Sequence, residues 1–352
     1  MKNIRYRIKD IAKLAEVSVG TVDRVIHNRG NVSAESRRKV EETIEKVGYK
    51  HSIFSSSFAG IKSYKLVVII PQHNVGDYWD LCEQGINKAL FELSKIKNLV
   101  SFIYYNQFDP HHCSEIFVKA SLENADAFLI GPVFQDETMI FTNQLTQRNI
   151  PYVFIDNMVE NSNPMAFFGM ESYSCGIIQA RLLLSCILPG SDITIMSSLL
   201  TNENSFIDNL SRKNGFIAHI KSCCPNTKIL YIHCVTENEN ESSKLMDDFF
   251  QENRNIGGLA IFNSRAYIAA SYFKSRGNKN IRIVASGAIQ KNINYLKEGY
   301  IDFLIAERPE LQGYMGIRAI LEFFSRKIKP SVNNYTPIDI LVKESADFYT
   351  CF

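Results

Sequence analysis

The side chains between Ser18 and Arg24 are of types that can read the edges of DNA bases. Arg24 carries a planar guanidinium, which can form two hydrogen bonds to one guanine in the major groove. Val19 and Gly20 are small enough to pack on a thymine methyl group or to allow close approach. Thr21 shares the outer side of the same predicted helix, and the Ser18 hydroxyl is placed to cap its first turn. Such readout requires a rigid helix that enters the groove.

Three helical patterns near the amino terminus could provide this helix and its support. One apolar stripe precedes the turn at Glu16, a second follows it, and a third stops at Gly48. The stripes consist of Ile8, Ile11, Ala12 and Ala15, then Val22, Val25 and Ile26, then Val40, Ile44 and Val47. A helix, a tight turn, a second helix and a supporting helix form the arrangement that places the second helix in a major groove. An ordinary helical bundle with a basic surface is the competing interpretation.

The charge distribution favours DNA binding over the ordinary bundle. Residues 1–60 contain 12 Lys and Arg against 7 Asp and Glu, a net charge of +5. The remaining 292 residues contain 27 basic and 30 acidic residues, a net charge of −3. The whole-chain charge of +2 therefore conceals a basic head on a mildly acidic body. This asymmetry suits the binding of phosphates, because neutralised phosphates release counterions.

The head resembles the headpiece of the lac-repressor (LacI/GalR) family of bacterial transcription regulators. The matching stretches are Ile8–Ala12, Val17–Val25, Val32-Ser33, Arg37–Val40 and Gly48-Tyr49. The resemblance implies a hinge after Tyr49 that folds on operator DNA and pushes Phe58 into the minor groove. The DNA contacts that it implies are Ser18, Val19, Gly20, Thr21, Arg24, Asn31 and Phe58. Two positions depart from the family, since Glu16 stands where Gly is common in the turn and His51 where Pro is usual.

A homodimer on a near-palindromic operator is expected, because one headpiece contacts too few bases to select a site. The sequence after about residue 345 has no heptad pattern that would form a tetramerising coiled coil. The body is therefore expected to supply the dimer interface.

Short apolar runs alternate with helix-length stretches after residue 64. Strands are predicted at 66–70, 100–105, 127–130, 152–155, 193–196, 229–233, 259–262, 281–285 and 303–305, with helices at 78–93 and 114–122 among those between them. This alternation indicates parallel βαβ units. Because the strands are too many for one small sheet, two doubly wound halves around a cleft are predicted. Ligands bind such sheets at the carboxyl ends of their strands.

The body resembles the effector domain of the same family and the periplasmic sugar-binding proteins of the ribose-binding type. The similar stretches are Ile70-Pro71, Tyr78-Trp79, Phe154–Asn157, Glu171–Gly176, Arg212–Phe216, Phe262-Asn263 and Glu307–Gly313. The fold class implied is α/β: an all-α helix-turn-helix headpiece, then a two-lobed periplasmic-binding-protein-like (type I) domain with doubly wound parallel sheets.

Domain boundaries follow from this division of the chain. The headpiece is expected at 1–50, the hinge and linker at 51–64, and the effector-binding and dimerisation domain at 65–345. The two lobes of that domain should divide near 170, with the chain crossing back near 305 and 330.

Six residues are candidate ligands for a small effector in the cleft: Tyr78, Trp79, Asp156, Arg212, Asn263 and Glu307. The two aromatic rings suit the C–H face of a sugar, although plain helix packing would also explain them. The Asp156 carboxylate can accept two hydroxyl hydrogen bonds, or it caps a turn instead. Arg212 can donate to hydroxyls or to an anionic group, unless it is an ordinary surface charge.

The sequence predicts a small effector that is a sugar or a sugar derivative. Many relatives have an acid in the turn after the strand at 281–284, where this chain has Ala285-Ser286-Gly287. A carboxylate that commonly holds the ligand is therefore missing. The alternatives are an effector that is phosphorylated, less hydroxylated or not a standard hexose, and an activator with a non-sugar effector in place of a repressor. Release from DNA by the effector is the expectation.

Other classes of protein are disfavoured by the sequence. Charges at Asp10, Lys13 and Glu16 interrupt any export signal, and no run of about 18 apolar residues exists, so a cytoplasmic regulator is favoured over an exported solute-binding protein. The nucleotide-binding and hydrolase motifs are missing, so no enzyme and no cofactor are expected. Eight scattered cysteines suggest reduced thiols. His111-His112-Cys113 lacks a second ligand cluster, so no metal site is predicted.

Overall fold

The computed structural model describes residues 8–26, 32–46, 63–94, 98–198, 207–234 and 239–349. The chain divides into two compact units, Met1–Lys62 and Ser63–Phe352. The predicted DNA contacts Asn31 and Phe58 lie outside the described residues.

The first unit contains α1 (Ile8–Leu14), α2 (Val19–Ile26) and α3 (Ala34–Lys46). Its core consists of Ile11, Ala12, Ala15, Val22, Val25 and Val40. The turn between α1 and α2 places Glu16 at a φ of 53°, in the left-handed region. Glycine adopts this region without strain, whereas another L-residue loses roughly 1–2 kcal/mol there.

A six-stranded sheet forms the first lobe of the second unit. Its strands stand in the order β11 (Asn333–Tyr335), β5 (Ala166–Gly169), β4 (Tyr152–Asp156), β3 (Ala127–Ile130), β1 (Tyr64–Pro71) and β2 (Asn98–Tyr105). Every pair in this sheet is parallel. The helices of this lobe are α4 (Tyr78–Glu92), α5 (Pro110–Ser121), α6 (Gln135–Gln147) and α12 (Pro309–Arg326).

A second six-stranded sheet forms the other lobe. Its order is β12 (Asp339–Leu341), β10 (Phe303–Ala306), β9 (Arg282–Ser286), β8 (Ile256–Ile261), β6 (Asp192–Ser198) and β7 (Ile229–Cys234). Only β12 among these strands runs antiparallel to its neighbour. Its helices are α7 (Ser172–Cys186), α8 (Ile207–Cys223), α9 (Glu239–Glu252), α10 (Ala266–Ser275) and α11 (Gln290–Glu298).

Three crossovers join the lobes: one between β5 and β6, one between β10 and α12, and one between β11 and β12. In the last, β11 pairs with β5 of the first sheet and β12 with β10 of the second. The prediction of two doubly wound parallel sheets is therefore confirmed.

Some elements differ from the sequence prediction. The helix expected from about Ser114 begins at Pro110, because the Asp109 carboxylate accepts hydrogen bonds from the His111 and His112 amides and caps it earlier. The strands β5, β11 and β12 are not among those predicted from the sequence. The three-residue strands β11 and β12 contain too little apolar pattern, whereas β5 is no shorter than the predicted strand β3. No helix among the described residues is long and apolar enough to span a membrane.

Candidate functional site

The exposed face of α2 carries the predicted DNA-reading side chains that the structure describes. The Ser18 hydroxyl accepts a hydrogen bond of 3.1 Å from the Thr21 amide and lies 2.9 Å from the Thr21 hydroxyl. Val19 is 53% exposed and Arg24 is exposed, while Val22 on the opposite face is fully buried. Because the core contacts fix the buried face, the outer face is presented as one rigid surface.

In the second unit, three predicted effector residues lie at or after the carboxyl ends of strands, Tyr78 and Trp79 begin α4, and Arg212 lies within α8. Asp156 ends β4, Asn263 lies two residues beyond β8, and Glu307 follows β10. Parallel strands bring their carboxyl ends to one edge of each sheet, and the two edges face each other across the crossovers. These side chains are therefore gathered at the boundary of the lobes.

The wall contributed by the first lobe is centred on Asp156. The Tyr78 hydroxyl donates a hydrogen bond of 2.5 Å to one carboxylate oxygen, and the Asn157 amide donates one of 2.9 Å to the other. Asn157 also donates to the Pro132 carbonyl at 3.0 Å, which fixes its side chain. Asp156 has a φ of 72°, so its carboxylate is held in a backbone conformation that only Gly, Asn and Asp adopt at all readily.

Trp79 packs inside the first lobe, with 5% of its surface exposed. A Cβ atom at Gly131 would lie 2.4 Å from the Trp79 ring, so only glycine at position 131 permits this packing. Tyr78 meets Trp79 edge to face, with 5.4 Å between ring centroids. Trp79 thus supports Tyr78 and the strand ends behind the cleft.

Arg212 is buried beneath the wall of the second lobe, with 2% of its surface exposed. Its guanidinium donates to Glu307 Oε1 at 2.6 Å, to the Ser286 hydroxyl at 2.6 Å and to the Phe262 carbonyl at 3.1 Å. Each acceptor comes from a different strand end, so Arg212 ties β8, β9 and β10 together. Arg212 and Glu307, two predicted effector residues, are thereby brought into direct contact.

The turn after β9 cannot easily accept the acid that relatives carry there. Gly287 has a φ of 84°, and a Cβ atom added to it would lie 2.6 Å from the Ser264 Cα. The Asn292 amide donates to the Ser264 and Gly287 carbonyls and locks the two loops together. Asn263 accepts a hydrogen bond from the Arg265 amide, so its carboxamide shapes the neighbouring loop. The carboxylate beside Arg212 is supplied instead by Glu307.

The two walls touch each other at the mouth of the cleft. The Arg265 guanidinium from the second lobe lies 4.4 Å from the centroid of the Phe108 ring, which follows β2 in the first lobe. Both residues are half-buried, and contacts of this kind contribute roughly 0.5–2 kcal/mol. They join the lobes without any covalent constraint, so they can open.

The interior of the cleft disfavours additional negative charge. Burial, followed by the charges of Asp156 and Glu307, raises the pKa of Tyr78 well above its usual value, so its hydroxyl remains a donor. Burial, followed by Asp156, Glu310 and Glu307, likewise raises the pKa of the Cys82 thiol. Three carboxylates from two segments, the end of β4 and the stretch that runs from the end of β10 into α12, therefore act on the Cys82 thiol.

Sequence reasoning missed Ser286, Asn157, Arg265, Phe108 and Glu310. The stretch Glu307–Gly313 had been recognised as similar to the family, yet the burial of Glu310 has no local signal. Ser286 stands in the turn at 285–287, where the sequence signal is the missing acid and not the hydroxyl. The hypothesis of a metal at His111-His112-Cys113 gains no support: Cys113 is buried, His112 accepts from the Asn106 amide, and no cluster of metal-ligating side chains occurs among the described residues.

Comparisons with known proteins match both units. Residues 7–52 match the model of bacterial regulatory proteins of the lacI family, and residues 66–327 match the periplasmic binding protein domain. A catabolite control protein A of Staphylococcus aureus is 28% identical over 138 residues, which are 39% of this chain and 40% of that protein. The aligned region thus spans less than half of that curated relative.

Solved structures resemble the second unit. One described as a LacI transcriptional regulator of Bacteroides fragilis is 28% identical, with a TM-score of 0.77 over 82% of this chain and 100% of that chain. A glucose-galactose binding protein of Geobacillus stearothermophilus has a TM-score of 0.69 at 18% identity, over 80% of this chain and 98% of that one. The latter likeness concerns the fold alone.

Proposed function

Because the chain belongs to the lacI family of bacterial regulatory proteins and carries a periplasmic binding protein domain, we propose that it is a sequence-specific DNA-binding transcription regulator. Its affinity for an operator is set by a small hydroxylated effector in the cleft. It acts as a homodimer and as a repressor that the effector releases.

The observation that carries this proposal is the exposed face of α2. Ser18, Val19, Gly20, Thr21 and Arg24 lie at or near this face, whose opposite side is packed into the core of the headpiece. An arginine on such a helix typically reads guanine through two hydrogen bonds. Asn31 and Phe58, outside the described residues, complete the proposed DNA contacts.

The cleft supports the proposed effector role through its polar side chains. Asp156, Asn263 and Glu307 come from three strand ends, and each has carboxylate or carboxamide atoms that suit sugar hydroxyls. Tyr78 adds an aromatic face, while Arg212 orients Glu307. We assign Trp79 to the support of Tyr78, since its ring packs on Gly131.

The test of DNA reading compares Arg24→Ala with Arg181→Ala, which removes an exposed arginine from α7 of the body. Genomic fragments selected by the wild type serve as targets in anisotropy titrations. Arg24→Ala should lose about 1–3 kcal/mol of binding free energy and relax the preference at one base pair per half-site. An equal loss on all sequences would reassign Arg24 to phosphate contact, and unchanged binding would refute the proposed readout.

The test of the effector role uses Asp156→Asn, because asparagine also tolerates the left-handed backbone found at this position. The change should weaken effector binding and leave DNA affinity without effector intact, since the headpiece is a separate unit. Coupling between the sites is reciprocal, so operator DNA must shift effector affinity by the factor by which effector shifts operator affinity. A measured effector that binds the variant normally would place the effector site elsewhere.

A further inference from the structure

Glu310 is a buried carboxylate without a hydrogen-bonding partner among the residues that the structure describes. It lies in the first turn of α12, with 4% of its surface exposed. Both of its oxygen atoms are buried, and neither accepts a hydrogen bond from any described residue. An ionised carboxylate in this situation loses its hydration without compensation, which is a large energetic cost.

The groups that commonly stabilise an acid at the start of a helix do not provide hydrogen bonds to Glu310. The positive end of the helix dipole favours the charge, but Pro309 has no amide hydrogen to donate. The neighbouring Arg308 guanidinium is bonded to Asp339 at 2.5 Å. The backbone is also fixed, because a Cβ atom on Gly85 of α4 would lie 1.9 Å from the Glu310 carbonyl oxygen. Glu310 is thus held in place by tight packing of α12 on α4.

A small pocket at the boundary of the lobes has Glu310 among its lining residues. It is lined by Tyr78 and Leu81 of α4, by Ala288 and Ile289 after β9, and by Pro309, Glu310 and Tyr349. Its free space fits a group the size of a water molecule or an ammonium ion. The Tyr78 ring connects this pocket with Asp156, to which its hydroxyl is bonded.

The charge around the pocket is predominantly negative. The charges of Asp156, Glu310 and Glu307 each raise the pKa of the Cys82 thiol, so all three lie within electrostatic reach of this side chain. Arg212 is bonded to Glu307 and two further acceptors. The surroundings therefore favour a cation and oppose a phosphate.

We propose that the cleft binds a hydroxylated ligand with a protonated amine, an amino sugar, whose ammonium group contacts Glu310. This inference rests on the proposed effector function and names the class of effector. An ammonium group has three donors and can satisfy both Glu310 oxygens, while Asp156 accepts ring hydroxyls from the other side of Tyr78. Glu310 then supplies a carboxylate from the first turn of α12, in addition to Glu307, which is bonded to Arg212.

The first experiment requires no ligand. Full-length Glu310→Gln is compared with wild type and with Glu252→Gln, which changes an exposed glutamate on α9. Glu310→Gln should melt at the same or a higher temperature, because it removes a buried charge without a partner. A drop of several degrees, with no change in Glu252→Gln, would mean that Glu310 serves the fold and would overturn the inference.

The second experiment measures binding by calorimetry at a pH at which the amines are protonated. The probes are the pairs D-glucosamine with D-glucose, D-galactosamine with D-galactose and D-mannosamine with D-mannose. At least one amino sugar should bind wild type roughly tenfold or more tightly than its neutral parent, as expected for a buried hydrogen bond between charged groups. Glu310→Gln should abolish that preference, and Glu252→Gln should preserve it.

The inference fails if every amine and its neutral parent bind equally, if the preference survives in Glu310→Gln, or if no amino sugar binds. Operator binding is recorded on the same samples. Retained operator binding, together with binding of a neutral sugar that Asp156→Asn weakens, would leave the proposed function standing. Loss of both would count against the proposed function itself.

Discussion

Removing the Arg212 guanidinium should destabilise the second lobe strongly, and Arg212→Met does so with little change in side-chain volume. Glu307 is 6% exposed and would be left as a buried charge without its cation. Breaking such a pair from one side costs about 3–5 kcal/mol. At about 2 °C per kcal/mol for a unit of this size, the melting temperature should fall by roughly 6–10 °C.

The double variant Arg212→Met, Glu307→Met distinguishes this cost from lost packing. Because it removes both charges, it should recover most of the stability lost in the single variant, leaving about 1–2 kcal/mol for the acceptors at Ser286 and Phe262. The coupling free energy of the cycle should therefore reach at least about 2 kcal/mol. Calorimetric melts of the ligand-free wild type, the two single variants and the double variant give the unfolding free energies that the cycle requires.

An exposed ion pair on the same sheet provides the matched control. Arg282 lies 3.0 Å from Asp302, and its side chain is 45% exposed. Arg282→Met should cost less than about 1 kcal/mol, since water screens the remaining charge. The assignment of a buried and coupled pair would be refuted if the changes in unfolding free energy caused by Arg212→Met and Glu307→Met were additive. It would also be refuted if Arg212→Met cost no more stability than Arg282→Met.

Three further predictions concern the backbone and alkaline stability. Glu16→Gly should relieve left-handed strain of about 1–2 kcal/mol at an entropic cost of about 0.5–1 kcal/mol, and so slow amide exchange in the headpiece by up to about tenfold. Faster exchange would indicate that the glutamate makes a compensating contact. Gly287→Ala should lower the free energy of unfolding, measured in urea, by at least about 2 kcal/mol, since its Cβ would clash with Ser264. An unchanged urea midpoint would contradict that geometry. Burial, then the bond to Asp247, raises the pKa of Tyr272 to about 12. The folded state therefore holds this proton more tightly than the unfolded state, whose pKa is about 10, and the stability it contributes is lost as the pH rises from about 10 through 12. When the urea midpoint is plotted against pH, Tyr272→Phe should reduce the slope in this pH range. A slope as steep as that of the wild type would count against the raised pKa of Tyr272.

Local sequence determined the headpiece to a large extent. The apolar stripes through Ile11, Val22 and Val40, the cap at Ser18 and the unfavourable turn at Glu16 are all found in the structure. The apolar runs likewise gave the central strands of both sheets. These features depend on neighbours within a few residues, because helix and strand periodicity, capping and φ preference are local properties. The short strands β5, β11 and β12 depend on pairing with distant strands and had no comparable signal.

The strand ends gave the candidate ligands, but only tertiary structure determined how they are used. Arg212 meets Glu307 and Ser286 from 95 and 74 residues away, because the strand order places β10 and β9 side by side. The same packing buries Trp79 against Gly131 and encloses Glu310 between α12 and α4. Burial and partner are not properties of a residue type or its spacing, since they arise when segments distant in sequence exclude water together. The sequence could therefore predict a polar cleft, while its balance of charge followed only from the folded arrangement.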